Sequence, residues 1–267
     1  MSERTYLDEN EERSLTSRRR FLTGSAAALA GGALMAVPGA AFAKGNGDDD
    51  ENMEHGGKGN KGGVSDVDIL NFALTLEHLE AVFYTDGLKK FDKGDFEKYF
   101  KNNKDYQDQG IEKLDGGDVY RKFVLLREHE QTHVATLEKV IGRKKAVPEC
   151  TYNFNKTAFT SVGKFVSVAQ VLENTGVTAY DGAIAYIKAA KLQTAGATIA
   201  TVEARHASYL NLINGDIPFP DVFDEPVAPR VICGKVDPFI VRCPEPYGPY
   251  KSLAALCSRL PNKVITL

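Results

Sequence analysis

The sequence lacks features that several common classes of protein require. Its 267 residues include no tryptophan, three methionines, four cysteines and five histidines. Basic residues do not outnumber acidic ones, because 33 lysines and arginines stand against 36 aspartates and glutamates. Nucleic-acid-binding domains carry a basic footprint, so a net charge of −3 and an isoelectric point near 6.0 argue against a nucleic acid as partner.

No apolar run is long and glycine-poor enough for a comfortable membrane span. The most apolar stretch follows Arg18-Arg19-Arg20-Phe21-Leu22, continues to about Val37, and precedes Ala41-Phe42-Ala43, a small-x-small cleavage pattern. These features are typical of a signal peptide at residues 1–43, so we expect export to the periplasm, the cell surface or the extracellular space. An uncleaved N-terminal membrane anchor is the alternative. The arginine pair resembles a twin-arginine signal, which implies the twin-arginine export machinery as a partner.

Residues 44–63 are almost free of apolar side chains. Such a segment cannot bury enough surface to offset the entropy of ordering, so we interpret it as a disordered linker rich in glycine, aspartate and lysine. His55 and the acidic run at 48–51 offer weak metal ligands, but a solvated charge run is the favoured interpretation. The roughly 200 residues that follow suffice for one domain with a sizeable core.

The four cysteines form no Cys-x-x-Cys pair, which argues against a zinc knuckle or a redox dithiol. All of them lie in the second half of the chain, at Cys150, Cys233, Cys243 and Cys257. In an exported protein an even number of cysteines predicts two disulfides, and three pairings are open. Free buried thiols are the alternative.

One motif does occur twice, as Glu130-x-x-His133 and as Glu203-x-x-His206. Positions i and i+3 lie on the same face of a helix, so each copy directs a carboxylate and an imidazole the same way. A single Glu-x-x-His pair is often a pair of surface side chains. Interpreting the two pairs as metal ligands therefore needs support from elsewhere in the chain.

That support comes from a second repeated pattern upstream of each copy. A Leu-Glu pair is followed by a tyrosine seven positions after the glutamate, at Glu77 with Tyr84 and, 96 residues later, at Glu173 with Tyr180. The order Glu, Glu-x-x-His, Glu, Glu-x-x-His on four helices is the ligand pattern of a carboxylate-bridged dimetal site in ferritin-like bundles. The predicted ligands of the metal pair are Glu77, Glu130, His133, Glu173, Glu203 and His206.

The repeat also suggests a role for each residue. Glu77 and Glu173 would be terminal ligands, Glu130 and Glu203 bridging ligands, and each histidine would bind one metal. Two divalent ions and four carboxylates are close to neutral together, which permits burial. Oxygen-rich ligands with one histidine per metal favour two iron or two manganese ions over zinc or copper.

Other residues near the motifs are candidates for additional roles at the site. Glu80 has no counterpart in the repeat, because Gly176 occupies the equivalent position; it is a candidate extra or substitute ligand, and a supporting position next to the ligands or a surface position is the alternative. Tyr84 and Tyr180 are candidates for hydrogen bonds to ligands or for plain core positions. His78 and His129 are rotated by about 100° from the ligands next to them, so we interpret both as non-ligands.

The fold predicted from these patterns is all-α, a four-helix bundle over residues 64–215 with a Pro-rich, disulfide-pinned tail at 216–267. A connection of about 18 residues after helix two is long enough to return along a helix of about 36 Å, as a long crossover between helices two and three requires. The predicted helices run from about 65 to 87, from 118 to 142, from 162 to 191, and from a short link at 194–196 to 214–215.

The chain resembles ferritin-like domain proteins grouped with plant desiccation-related and fungal stress-associated homologues. The resemblance covers about residues 64–215 and rests on Leu-Glu-His-Leu-Glu-Ala-Val-Phe-Tyr, His-Glu-Gln-Thr-His, Cys-Thr-Tyr-Asn-Phe, Gln-Val-Leu-Glu-Asn-Thr-Gly-Val-x-Ala-Tyr and Glu-Ala-Arg-His. This superfamily includes storage, oxidase, peroxidase and catalase activities, and the fold does not choose among them.

Three functions follow as hypotheses. The first is an exported dimetal oxidoreductase in stress protection, whose partner is a small oxidant, peroxide or oxygen, and which is compatible with a homo-oligomer. The second is a non-enzymatic stress protein in which a metal, if bound, only stabilises the bundle. The third is iron storage, which a tethered chain with a Pro-rich tail suits poorly.

Overall fold

The computed structural model describes residues 63–156 and 158–265, so the predicted signal peptide and nearly all of the predicted linker lie outside the described residues. The described residues form mainly α-helices, with one small antiparallel sheet. The helices are α1 (Asp66–Lys90), α2 (Lys93–Asn102), α3 (Gly116–Ile141), α4 (Val162–Ile184), α5 (Ala190–Ile213), α6 (Pro229–Val236) and α7 (Leu253–Arg259). The strands are β1 (Thr151–Tyr152) and β2 (Ile240–Arg242), and two 3-10 turns cover Asp105–Gln109 and Asp237–Phe239.

Helix α1 begins where the sequence predicts and ends three residues later than predicted. Ser65 caps it through a capping box with Asp68, in which each side chain accepts a hydrogen bond from the other residue's backbone. Gly87 does not end the helix. It is buried inside the last turns, and a Cβ there would lie 2.2 Å from the ring of Phe165. This glycine therefore permits close packing of α1 on α4.

Helix α3 and the connection that follows it agree with the predicted crossover. The helix begins at Gly116, two residues earlier than predicted, with Asp115 as its N-cap. Gly142 ends it with a φ of +82°, a backbone conformation that glycine adopts without strain. Between Gly142 and Ser161, the described residues form no helix and contribute only β1.

The predicted boundary between the third and fourth bundle helices is wrong. Helix α4 ends at Ile184 rather than at 191, and α5 begins at Ala190, so the predicted link at 194–196 lies inside α5. Asp66, at the start of α1, accepts hydrogen bonds from the backbone N–H groups of Lys188 and Ala189 at 2.9 and 3.0 Å. A carboxylate at a helix N-terminus is favourable, and this one comes from more than 120 residues away in sequence.

The core of the bundle is formed by two helix pairs. Helix α1 packs on α3 and α4 packs on α5, while α1 also contacts α4. An aromatic cluster fills the end of the bundle near the C-terminus of α1, where Phe83 and Phe123 lie 5.0 and 5.2 Å from Phe165 between ring centroids. Aromatic pairs at this spacing contribute packing energy beyond their buried area. Together with the crossover and tail, this packing confirms the predicted ferritin-like fold.

The described part of the tail, residues 216–265, contains the short helices α6 and α7, one 3-10 turn and β2 but no long helix, as its prolines predict. Of the three disulfide pairings left open, the structure has Cys150–Cys243 and Cys233–Cys257. The first joins the crossover to the tail beside the β1–β2 pairing, which the sequence did not predict. The described residues contain no helix of the length and apolarity that a membrane span needs.

Candidate metal centre

The four helices of the bundle bring all six predicted ligands together. Glu77 lies on α1, Glu130 and His133 on α3, Glu173 on α4, and Glu203 and His206 on α5. The four glutamates are fully buried, and the two histidines are 9% and 6% exposed. Because a buried carboxylate needs a cation or a proton to compensate its charge, this cluster is the most demanding electrostatic feature of the described structure.

The six side chains form two overlapping groups of four. The first consists of Glu77, Glu130, His133 and Glu203, and the second of Glu130, Glu173, Glu203 and His206. Within each group one ligand atom per residue lies within 4.8 Å of all the others. Glu130 and Glu203 belong to both groups, which is the position that bridging carboxylates would occupy.

The two histidines point the same nitrogen into the cluster. Nδ1 of His133 lies 3.1 Å from carboxylate oxygens of Glu77, Glu130 and Glu203. Nδ1 of His206 lies 3.1 Å from Glu173, 3.2 Å from Glu130 and 3.8 Å from Glu203. Each shared glutamate therefore turns one oxygen toward each histidine.

The terminal glutamates are arranged differently, because a tyrosine from the opposite half of the repeat binds one oxygen of each. The hydroxyl of Tyr84 donates to Oε1 of Glu173 at 2.6 Å, and the hydroxyl of Tyr180 donates to Oε1 of Glu77. Oε2 of each glutamate faces a histidine instead. Each terminal carboxylate therefore directs only one oxygen toward the cluster, and both tyrosines hydrogen-bond candidate ligands as well as packing in the core.

The donor set fits a pair of oxygen-preferring metal ions. Oε1 of Glu130 and both carboxylate oxygens of Glu203 are buried and have no hydrogen-bond donor of their own among the described residues, because the single Nδ1 of each histidine is shared by three carboxylates. A buried polar atom without a partner is strongly unfavourable. Two divalent ions would satisfy these three oxygens, and carboxylates with one imidazole per metal suit iron or manganese.

Without a metal ion, protons must take over part of the compensation. Burial alone lowers the pKa of His206, but the carboxylates of Glu173, Glu130 and Glu203 outweigh it and raise the pKa to about 12. The pKa of His133 is raised well above its ordinary value in the same way. Burial, reinforced by Glu203 and Glu130, raises the pKa of Glu77 to about 8 despite the opposing effect of His133. The cluster therefore holds extra protons at neutral pH when no metal is bound.

Glu80 is buried beside the cluster, but it belongs to neither group of four. A Cβ on Gly176 would lie 3.4 Å from Oε1 of Glu80 and 3.5 Å from Oε2 of Glu203, in ordinary van der Waals contact, so the Glu80 carboxylate packs close to the backbone of Gly176. Burial and four neighbouring glutamates all raise the pKa of Glu80 well above its ordinary value. Its position favours a protonated carboxyl behind the candidate ligands.

The two remaining predicted non-ligands lie in different places. Nε2 of His78 is 3.4 Å from the backbone oxygen of Val147 in the crossover, outside both groups. His129 is also outside both groups, but its Nδ1 is 2.9 Å from Nε2 of His206. The rotation of about 100° separates His129 from the face of Glu130, yet its ring reaches the adjacent helix. The repeat is broken at this position, because the residue equivalent to His129 is Val202. This difference is the sequence signal that distinguishes His129.

Comparison with known proteins identifies the class that this bundle and cluster define. Residues 65–216 match the model of the ferritin-like domain, so the chain belongs to the ferritin-like domain family. Protein rds1 of Schizosaccharomyces pombe is 25% identical over 180 residues, which is 67% of this chain. The match spans 40% of the length of the yeast protein.

Proposed function

We propose that this protein is an exported oxidoreductase with a carboxylate-bridged pair of iron or manganese ions, which consumes peroxide or activates oxygen in protection against stress. One observation carries the proposal: two shared carboxylates, buried and short of hydrogen-bond donors, lie between two Glu–His pairs in a ferritin-like bundle. Structural salt bridges seldom leave buried carboxylate oxygens without donors, whereas metal ligands do so when the metal is removed.

Such a metal pair supplies redox cycling between oxidation states and open positions for a small oxidant. The protein side chains provide the setting for it. Tyr84 and Tyr180 fix the orientation of the terminal carboxylates through hydrogen bonds to one oxygen of each. Glu80 lies next to Glu203, and burial together with the neighbouring glutamates raises its pKa, so its carboxyl is the candidate proton carrier of the cluster.

The surroundings of Glu80 favour a small substrate. A cavity of about 10 Å³, enough for one water molecule, lies beside Glu80 and Gly176. Its other walls are mainly apolar and include Leu76, Leu172 and Val236 of the tail helix α6. Peroxide and oxygen are only one heavy atom larger than water, whereas larger organic substrates would require the tail to move.

Export is supported by the two disulfides, which form and persist in oxidising compartments. A role in stress protection rests on the family resemblance of the motifs. Folding with the metal already bound would suit the twin-arginine export machinery, and a homo-oligomer is compatible with the bundle.

A non-enzymatic structural role is the second candidate, and one observation favours it. With both histidines protonated, the two imidazolium rings lie between the carboxylates and compensate part of their charge. The bundle then folds without a metal, and a bound metal would only add stability.

The test combines elemental analysis of the natively exported protein with peroxide consumption by the same sample. We expect about two iron or manganese ions per chain, and metal-dependent turnover that is lost in Glu130→Ala and His206→Ala. Two ions without peroxide or oxygen consumption would favour the structural role. A folded, exported protein without metal would overturn the dimetal proposal.

A further inference from the structure

His129 makes a direct contact with His206. The other candidate histidine ligand, His133, has no such contact among the described residues. Nδ1 of His129 lies 2.9 Å from Nε2 of His206, and the two rings meet edge to edge and nearly coplanar, with centroids 5.2 Å apart and planes inclined by 19°. His206 is buried, whereas His129 is exposed. The exposed ring therefore covers the outer side of the buried one, opposite the nitrogen that faces the carboxylates.

The contact fixes which nitrogen carries a proton. A neutral imidazole that binds a metal through Nδ1 must keep its proton on Nε2. In His206 that proton faces Nδ1 of His129, which must then accept the hydrogen bond and carry its own proton on Nε2. Hydrogen bonds of this kind orient a metal-binding histidine and raise its basicity.

The internal repeat shows that this arrangement is present on one side only. The two Glu-x-x-His motifs are 73 residues apart, so the counterpart of His129 is Val202, which offers no hydrogen bond. Among residues 63–156 and 158–265, no side chain hydrogen-bonds to Nε2 of His133. The two halves of the cluster therefore differ just outside the candidate ligands.

We propose that His129 is a positioning residue that holds His206 in its metal-binding tautomer and orientation, so that the ion beside Glu173 and His206 is bound more tightly than the ion beside Glu77 and His133. This proposal rests on the proposed dimetal function. It assigns His129 no contact with metal or substrate.

The test is a titration of metal-free, full-length exported protein with Mn²⁺. Calorimetry measures the heat of binding, and electron paramagnetic resonance measures the free ion. We expect two dissociation constants in the unmodified protein. His129→Leu should raise the smaller constant by about 10- to 100-fold and leave the larger one unchanged. His129→Gln should restore part of the affinity, because its side-chain oxygen accepts a hydrogen bond.

Gln131→Leu is a matched control, since it also replaces an exposed polar side chain on α3 with leucine. It should leave both constants unchanged, and the thermal midpoint of each metal-free variant shows that the variant is folded. Unaltered constants in His129→Leu would overturn the role of His129 while leaving the dimetal site intact. Equal weakening of both ions would also overturn it. An unmodified protein that binds no Mn²⁺ and no Fe²⁺ would instead remove the dimetal function on which the proposal rests.

Discussion

The hydroxyl of Tyr84 on α1 donates a 2.6 Å hydrogen bond to Glu173 on α4. Tyr180 on α4 makes the reciprocal bond to Glu77 on α1. Each half of the internal repeat thus fixes a carboxylate of the other half. Because the two bonds cross between helices that are distant in sequence, they couple the geometry of the cluster to the correct pairing of the helices.

We predict that Tyr84→Phe and Tyr180→Phe each destabilise the protein by about 1 to 3 kcal/mol, the usual cost of leaving a buried hydrogen-bonding group without its partner. Urea unfolding of the metal-free protein measures this. Tyr209→Phe is the control, because the partly buried Tyr209 makes no hydrogen bond to a carboxylate among the described residues, and it should change the free energy of unfolding by less than about 0.5 kcal/mol. Equal small effects in all three variants would contradict the prediction.

The sequence predicts which residues lie on the inner helix faces, because that depends only on local spacing. Glu77, Tyr84 and the Glu-x-x-His pairs recur at helical intervals, and the structure brings all of them to one cluster. Spacing does not say which helix faces which, so the crossed partners of the two tyrosines could not be derived from it. The same limit hid the contact of His129 with His206.

Helix ends were harder to predict when the determining residue was distant. The end of α4 was placed seven residues too late, since nothing nearby breaks the helical pattern, and the turn is held by Asp66 from the start of α1. Residue type alone predicts a helix end at Gly87. Its actual role depends on Phe165, which lies 78 residues further along the chain.

Substitutions of the shared glutamates and of the terminal glutamates should differ in their effect on metal content. Glu130→Gln removes a carboxylate common to both groups, so we expect both ions to be lost. Glu173→Gln affects one group only and should leave about one ion per chain. Glu80→Gln lies outside both groups and should keep about two. Elemental analysis after saturation and gel filtration distinguishes these cases; loss of both ions in Glu80→Gln would make Glu80 a ligand.

The tail is attached to the start of α1 by a charged contact that should respond to pH. Burial alone raises the pKa of Asp68, but hydrogen bonds from Arg259, Ser65 and Tyr250 outweigh it and lower the pKa from 3.8 to about 2. A carboxylate with a lowered pKa stabilises the fold above about pH 4, and its contribution is lost as the pH falls through about 2.

Asp68→Asn should therefore be less stable than the unmodified protein by at most about 2 kcal/mol at pH 5, with the difference shrinking toward pH 2. Thermal unfolding of both proteins between pH 2 and 6 measures it, and the comparison cancels the titration of groups that they share. A difference that does not depend on pH would assign the effect to packing.

We predict that the close packing of the tail backbone on α4 requires a glycine at position 182. A Cβ at this position would lie 1.9 Å from the backbone oxygen of Val227, and the backbone N–H of Val227 donates to the backbone oxygen of Thr178 at 3.0 Å. In most helices alanine is more stable than glycine by about 1 kcal/mol. Here the clash is with backbone and cannot be relieved by a rotamer change, so Gly182→Ala should destabilise the protein.

Gly196→Ala provides the matched control on α5. The nearest atoms to a Cβ there lie 3.9 Å away, in ordinary van der Waals contact, so this variant should be neutral or more stable by up to about 1 kcal/mol. Urea unfolding gives the sign of each change, and limited proteolysis shows whether cleavage after residue 215 becomes faster in Gly182→Ala. Equal stabilisation by both alanines would mean that the tail is not packed against α4 at Val227 in solution. Faster cleavage of the tail with the bundle still folded would show that the Val227 contact holds the tail against α4.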